Sequence, residues 1–243
     1  MEAHKVVSHE DWVQSRARLL AKEKELTRLR DTLALERRDM PWERVEKQYV
    51  FDGPAGKETL AGLFAGRSQL IVYHFMFGPD WDAGCPSCSL FADSFNGIVI
   101  HLQQRDVTFV TVSRAPFAKL DAYRRRMGWN FKWVSSAGSD FNRDYQVYCT
   151  PDEVARGEGY YNYVTQRPFG TEMPGASVFY KDTAGTVFHS YSTYGRGLDA
   201  FMVNYQFLDI VPKGRDEDEL KPHRQAWVRR HDEYGAASRA SSR

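Results

Sequence analysis

The sequence contains only three cysteines among its 243 residues. A small, odd number argues against a disulfide framework, which needs paired thiols, and is typical of proteins from a reducing compartment. A chain of this length can also bury a core large enough to fold without cross-links. We therefore expect a cytoplasmic protein whose fold does not depend on disulfides.

Long hydrophobic runs and an excess of one charge are missing as well. The longest apolar run, around residues 70–77, is too short to span a bilayer. The N-terminus, "MEAHKVVSHEDW", lacks the basic and then apolar segments of a secretory signal. Lys and Arg number 33 against 32 Asp and Glu. We therefore expect neither a nucleic-acid nor a membrane partner.

Residues 9–39 are predicted to form one long helix. Ser8 and Asp11 give it a start similar to a capping box. Apolar residues form a stripe among many charges, namely Leu19, Leu26, Leu29 and Leu33. Such a helix is marginal unless this stripe is buried by its own domain or by a second subunit. We assign residues 1–44 to an N-terminal helical extension and expect a homodimer, with this helix or the segment around Trp227 in the contact.

Residues 45–211 are predicted to form an α/β domain. The run "QLIVYHFMF" at 69–77 and "VTFVTVS" at 107–113 are typical of buried strands. Each is followed by a helical pattern, the first from Cys85 and the second from Pro116. This alternation predicts parallel strands joined by a right-handed crossover.

The second half of this domain is less regular. Residues 138–174 are rich in Gly and Tyr and are predicted to be an irregular insertion. Two alternating runs at 176–192 predict a β-hairpin, and a final helix is expected at 196–209. Residues 212–243 form a polar C-terminal extension whose end, "GAASRASSR", is expected to be disordered.

The sequence Cys85-Pro86-Ser87-Cys88 follows the first buried strand and begins its helix. Cys85 would be the N-cap and Pro86 the first helical residue, where the missing N–H costs nothing. Free backbone N–H groups and the helix dipole favour a thiolate at Cys85, which is the attacking species. Cys88, one turn later and facing inward, would resolve a mixed disulfide formed by Cys85.

Two other interpretations of these cysteines remain open. A zinc site would need two further ligands, and the sequence offers no second CxxC or HxxxH pair, only separate residues: His74, His101, Cys149 and His189. Alternatively, both thiols are buried structural residues. Asp80 and Asp82 would raise a thiol pKa if they lay near it. We expect no cofactor and no bound metal.

The order of elements resembles the thioredoxin fold, and several segments are similar to its peroxiredoxin branch. More closely, "YHFMFGPDWDAGCPSCSLFAD", "VSRAP", "GWNFKWVSS", "FHSYSTYGRGLDA" and "LDIVPKGRDE" resemble a family of uncharacterised bacterial proteins, catalogued as predicted dithiol-disulfide oxidoreductases. This resemblance covers roughly residues 10–235. It implies a thioredoxin-like three-layer α/β/α sandwich that cycles Cys85 and Cys88 between dithiol and disulfide. The substrate would be an unknown thiol or disulfide, in a protein or a small molecule.

Three positions depart from the patterns of these families. Thioredoxins carry a tryptophan immediately before the first cysteine, whereas Trp81 stands four residues earlier. Peroxiredoxins carry Thr or Ser where this chain has Asp82, which weakens a peroxidase interpretation. Pro174 is the candidate for the cis-proline that faces the disulfide in thioredoxins, although, counted back from Lys181, it falls about one residue too early.

A second polar group of residues lies in "HSYSTYGRG". In a regular strand His189 and Tyr191 share one face, and Arg196 would start the final helix. These residues are predicted either to be hydrogen-bonded packing or to line a substrate pocket beside the thiols, closed by the loop at 160–163. With structural cysteines, the same segments would make the chain a binding module for a small molecule or a protein.

Overall fold

The computed structural model describes residues 4–235, and the chain divides into two compact units, 1–42 and 43–243. The first unit contains helix α1 (His9–Asp39), as predicted. Its first turn is capped by Ser8, whose Oγ accepts a hydrogen bond from the Asp11 N–H at 3.2 Å. A single helix cannot bury its own leucines, so the stability of α1 depends on packing partners.

The second unit contains ten strands, seven α-helices and three 3₁₀ helices within the described residues. The strands are β1 (Glu43–Arg44), β2 (Val50–Gly53), β3 (Gly56–Thr59), β4 (Gln69–His74), β5 (Val107–Ser113), β6 (Lys132–Ser135), β7 (Gly159–Tyr161), β8 (Val164–Gln166), β9 (Gly175–Lys181) and β10 (Val187–Tyr194). The α-helices are α2 (Leu60–Leu63), α3 (Pro86–Ala92), α4 (Phe95–Gln103), α5 (Phe117–Arg126), α6 (Phe141–Asp144), α7 (Pro151–Arg156) and α8 (Val203–Leu208). The 3₁₀ helices span Gly195–Phe201, Arg224–Trp227 and His231–Glu233. Across the described part of the chain, no helix has the length and apolar character needed to cross a membrane.

Eight of these strands form one sheet, in the order β1-β10-β9-β4-β5-β6-β2-β3. Strands β4, β5 and β6 are parallel, whereas β9 runs antiparallel to β4 and β10 antiparallel to β9. The βαβ crossover from β4 to β5, followed by the β9–β10 hairpin and α8, gives the central strand order β10-β9-β4-β5. This topology confirms the predicted thioredoxin-like class.

Both faces of the sheet are covered. Successive side chains of β4 point to opposite faces, so each face carries apolar residues. The first core cluster includes Tyr73, Phe75, Phe77, Cys88, Phe91, Phe95, Leu120, Tyr123, Leu198, Tyr205 and Val228. The second includes Phe51, Leu63, Leu70, Val72, Val112, Phe141, Tyr145 and Phe179. Helices α3, α4, α5 and α8 therefore cover one face, and α2 and α6 cover the other. This arrangement is the predicted three-layer sandwich.

Three segments differ from their predictions. The helix that starts at Cys85 breaks after Ala92 and restarts at Phe95, so the predicted single helix is two helices, α3 and α4. The predicted irregular insertion contains α6, α7 and the β7–β8 hairpin. The last predicted helix is a 3₁₀ turn followed by α8. Local deviations of this kind depend on packing rather than on hydrophobic periodicity.

The C-terminal segment packs on the core although its composition is polar. Val228 is 2% exposed, and Trp227 packs against the first core cluster while its Nε1 donates to Glu217 Oε1 at 2.6 Å. The end that is predicted to be disordered spans residues 235–243, and all of it except Gly235 lies outside the described residues. This segment supplies a residue to the candidate site.

Candidate active site

The chain leaves β4 through a loop that returns to the end of the same strand. Past the end of β4, the Ala115 N–H donates to the carbonyl oxygen of Phe77 at 2.8 Å. The loop then turns back, and the Cys85 N–H donates to the carbonyl oxygen of Met76 at 3.1 Å. The backbone of Cys85 is therefore anchored beside the carboxyl end of β4.

Cys85 is the N-cap of α3 and Pro86 occupies its first turn, as predicted. The carbonyl oxygen of Cys85 accepts hydrogen bonds from the Ser89 N–H at 2.9 Å and from Ser89 Oγ at 2.8 Å. Ser89 Oγ also lies 2.8 Å from the Tyr123 hydroxyl. The backbone that carries the first cysteine is thus fixed by a buried hydrogen-bond network.

Cys85 is half-buried, and the pKa of its thiol is lowered to about 7. The largest cause is a hydrogen bond from the Cys88 thiol, which stabilises the Cys85 thiolate. Burial opposes this effect, whereas the N–H groups of Cys88 and Ser87 and the charge of Arg230 add to it. A large fraction of Cys85 is therefore thiolate at neutral pH.

Cys88 lies beneath it, 2% exposed, in the first core cluster. Burial raises the pKa of the Cys88 thiol well above its usual range, and the neighbouring Cys85 thiolate raises it further. The Tyr73 hydroxyl and the Met76 N–H act in the opposite direction, as hydrogen-bond donors to Cys88. The pair is thus asymmetric, with an ionised outer sulfur and a protonated inner one.

The acidic residues of the loop are not among the main causes of the shifts in the thiol pKa values. Asp80 and Asp82 are exposed and are not among the groups that shift the Cys85 pKa. Trp81 packs against the first core cluster. Lys119 Nζ holds the loop by donating to the carbonyl oxygens of Pro79 at 2.8 Å and Trp81 at 2.9 Å. Of the predicted loop residues, Trp81 thus packs against the cluster that contains Cys88, and Asp82 is exposed.

Arg230 is a residue of the site that the sequence analysis missed. Its Nε and Nη2 donate to the carbonyl oxygen of Gly84, at 3.1 and 2.7 Å, directly before Cys85. Its side chain is 18% exposed. The signal in the sequence is the pair of arginines in "WVRRHDEY", but nothing local connects it with a loop 146 residues away.

Salt bridges hold the Arg230 segment against α5 and α3. Arg126 pairs with Asp232 at 2.7 Å and with Glu233 at 3.0 Å. His231 Nδ1 lies 2.7 Å from Asp93 Oδ1, at the end of α3. These contacts place the C-terminal segment beside the helix that carries both cysteines.

One tyrosine of the insertion is buried and held by two hydrogen bonds. Tyr161 is 5% exposed, and burial raises the pKa of its hydroxyl. Its hydroxyl donates to the carbonyl oxygen of Pro174 and accepts from the Gly195 N–H, both at 2.7 Å. Tyr160 and Tyr163 are more than half exposed. Tyr161 thus fixes the insertion against the segments that carry Pro174 and Gly195.

His189 and Tyr191 do not share a face, because a bulge at Ser190 separates them. His189 pairs with Phe179 and Tyr191 with the adjacent Val178, so one extra residue lies on β10. This bulge reverses the predicted alternation and brings His189 Nε2 to 2.7 Å from Ser192 Oγ. The His189 ring packs against Phe179 of the second core cluster, on the sheet face opposite the thiols.

The other two predicted supporting residues have structural contacts. Arg196 lies in the 3₁₀ helix that precedes α8, is 78% exposed and pairs with Asp199. Among the described residues the cis peptide bond is Lys221–Pro222, so the bond before Pro174 is trans. Pro174 contributes its carbonyl oxygen to Tyr161.

The alternative metal site lacks a ligand set. Within residues 4–235 no three His, Cys, Asp or Glu side chains converge in a way that could hold a metal ion. The buried His74 ring instead has Ser177 Oγ 2.8 Å from its Nε2. Cys149 is fully buried in a third cluster, and burial raises the pKa of its thiol.

Comparison with solved structures finds similar backbones among peroxiredoxins. Peroxidoxin BcpB from Mycobacterium tuberculosis covers 67% of this chain and 94% of its own, with 11% identity and a TM-score of 0.45. A cysteine-to-serine mutant of Xanthomonas campestris peroxiredoxin Q covers 70% and 98%, with 16% identity and a TM-score of 0.44. The yeast mitochondrial 1-Cys peroxiredoxin covers 69% and 76%, with 12% identity and a TM-score of 0.42.

Comparison with curated proteins finds no match. A family model described as "Bacterial protein of unknown function (DUF899)" matches residues 1–234. That match spans both compact units and includes the Cys85–Cys88 helix, the insertion and Arg230. The chain therefore belongs to this bacterial family.

Proposed function

We propose that the protein is a thiol-disulfide oxidoreductase in which Cys85 attacks and Cys88 resolves. The observation that carries the proposal is the asymmetric pair itself. Cys85 is partly exposed with a pKa of about 7, whereas Cys88 is buried beneath it and protonated. A thiol whose pKa lies near neutral pH is substantially ionised there, and its thiolate remains a good nucleophile.

In the first step the Cys85 thiolate attacks one sulfur of a substrate disulfide. A bond forms between Cys85 and that sulfur, the substrate S–S bond breaks, and the other substrate sulfur leaves as a thiolate. Cys85 now carries no charge. The repulsion and the hydrogen bond that raised the Cys88 pKa disappear with it, so this step lowers the Cys88 pKa.

In the second step Cys88 loses its proton to the departing thiolate or to water. The Tyr73 hydroxyl and the Met76 N–H stabilise the new thiolate, which attacks Cys85 Sγ. The Cys85–Cys88 disulfide forms and the second substrate sulfur leaves. One substrate disulfide is reduced to two thiols while the protein dithiol is oxidised, so two electrons are transferred.

Alkylation of the native reduced protein, read by mass spectrometry, tests the nucleophile. Cys85 should label first, with a rate that reaches half its maximum near the Cys85 pKa of about 7, and Cys88 and Cys149 should label slowly. Labelling of Cys85 only after denaturation would instead support a binding module with structural cysteines.

Turnover of insulin disulfides tests the assignment of roles. Cys85→Ser should abolish reduction, and Cys88→Ser should accumulate a mixed disulfide through Cys85. Cys149→Ser is the matched control and should reduce insulin at the parent rate. The proposal is wrong if both Cys85→Ser and Cys88→Ser turn over like the parent.

A further inference from the structure

A cavity of about 560 Å³ lies at the carboxyl ends of the parallel strands. Pro79 in the loop after β4, Arg114 directly after β5 and Ser136 directly after β6 all line it. In open α/β sheets, ligands bind in the crevice outside these strand ends. No cysteine lines this cavity, and the proposed thiol chemistry does not use it.

Arg114 is held rigidly with most of its donors unused. Its Nη1 donates to Glu172 Oε1 at 2.6 Å, and its Cζ lies 3.5 Å from the centroid of the Tyr148 ring. Within residues 4–235 its remaining guanidinium N–H groups have no hydrogen-bond partner. A stacked guanidinium with free parallel N–H groups matches the two oxygens of a carboxylate or a phosphate.

Asn142 supplies a second unpaired donor to the same cavity. It is 3% exposed, and its Oδ1 accepts a hydrogen bond from Ser136 Oγ at 2.6 Å. Its Nδ2 has no partner in the described part of the chain. Asn142 lines the cavity, and its Nδ2 is not among the fully enclosed unpaired atoms, so this N–H group is open to the cavity and a ligand there is placed to accept from it.

The acidic groups around the cavity already have cationic partners. Asp140 lines the cavity, but Lys47 Nζ lies 2.7 Å from its Oδ2. Arg143 pairs with Glu153, and Glu172 is held by Arg114. The polar atoms left unpaired on Arg114 and Asn142 are therefore donors, so the cavity suits an anion better than a cation.

We propose that this cavity binds the oxyanion end of a small molecule, a carboxylate or a phosphate, with Arg114 and Asn142 as donors. The guanidinium would take two oxygens and the Asn142 amide a third contact. The proposal does not depend on the proposed thiol chemistry, and its test measures binding instead of turnover.

Titration calorimetry of the full chain with inorganic phosphate, and separately with succinate, tests it at constant ionic strength. One or both probes should saturate a single site with a Kd of about 1 mM or tighter. Saturation by phosphate alone identifies a phosphorylated ligand, and saturation by succinate alone a carboxylate. If neither saturates by about 10 mM, the proposal is overturned.

Asn142→Asp assigns the binding to this cavity. The variant keeps an acceptor for Ser136 but replaces the donor with a carboxylate, so affinity should fall about tenfold or more. The control is Asn130→Asp, which makes the same charge change at an exposed position outside the cavity and should bind like the parent.

A second variant covers the case in which Asn142→Asp does not fold. Arg114→Lys keeps a positive charge opposite Glu172 but loses the planar fork, and it too should weaken binding about tenfold. Near-ultraviolet circular dichroism establishes which variants are folded. Parent-like affinity in either folded variant overturns the proposal.

Discussion

Arg230 donates two hydrogen bonds to the carbonyl oxygen of Gly84, the residue directly before Cys85. Its charge also lowers the Cys85 pKa. One side chain from the C-terminal segment therefore both positions the loop and stabilises the thiolate. The folded position of the C-terminal segment therefore affects the reactivity of Cys85.

Replacing Arg230 by Gln should raise the Cys85 pKa, because a favourable charge is removed. At pH values below the pKa, Cys85 should be alkylated roughly two- to tenfold more slowly in the variant than in the parent. At high pH the two rates should be equal. The measurement is the pH profile of labelling from about pH 5 to 10, which brackets ordinary thiol pKa values. Arg229→Gln removes a charge from the neighbouring exposed residue and should keep the parent profile; an unchanged Arg230→Gln profile would contradict this role.

Cys88→Ala should raise the Cys85 pKa more than Arg230→Gln does. The hydrogen bond from Cys88 is the largest contribution that lowers this pKa, whereas the Arg230 charge is a smaller one. The same labelling profiles give the ranking. A larger shift in Arg230→Gln than in Cys88→Ala would show that charge, and not the neighbouring thiol, controls Cys85.

Gly84→Ala should destabilise the fold by about 1–3 kcal/mol. A Cβ at this position would lie 2.6 Å from Phe75 Cε1 and 2.8 Å from Tyr123 Cε1, and both rings are buried. Denaturant unfolding measures the loss. Gly97→Ala, in α4 with no atom within 4 Å of the new Cβ, is the matched control. It should be neutral or up to about 1 kcal/mol stabilising, and equal effects of the two substitutions would contradict the steric argument.

The protein should lose stability as the pH falls below about 6.5, the ordinary pKa of histidine. Burial lowers the pKa of His74 to about 3, so the folded state keeps it neutral while the unfolded state binds a proton. The free energy of unfolding should therefore fall by up to about 1.4 kcal/mol per pH unit for this residue alone, from about pH 6.5 toward 3. Urea unfolding at about pH 8, 6 and 5, on both sides of that ordinary pKa, measures this slope.

His74→Gln isolates the contribution of that residue. Gln can still bond Ser177 but does not titrate, so the variant should be less stable at neutral and alkaline pH and lose less stability on acidification. His101→Gln changes an exposed histidine and should keep the parent slope. A parent-like slope in His74→Gln would mean that other groups carry the acid sensitivity.

We propose that the chain is a homodimer in which α1 contributes to the contact. A helix of 31 residues with several leucines gains stability when a second subunit covers them. Sedimentation should show a dimer at micromolar concentration for the full chain and a monomer after removal of residues 1–40. A monomeric full-length chain would refute this assembly.

Much of the fold follows from local sequence signals. Helix α1 begins where Ser8 and Asp11 predict and spans the predicted residues, and the buried strands β4 and β5 follow continuous apolar runs. Cys85 and Pro86 occupy the predicted first turn of α3. Each of these features depends on interactions between residues close in sequence, such as capping and the spacing of apolar side chains.

The tertiary structure alone decided what surrounds the thiols. Arg230 reaches Gly84 across 146 residues, and Tyr161 of the insertion bonds the Pro174 carbonyl oxygen and the Gly195 N–H. The single extra residue at Ser190 moves His189 to the opposite face of the sheet from the cysteines. Such contacts depend on how distant segments pack, and a bulge changes register without changing composition, so neither leaves a periodic signal in the sequence.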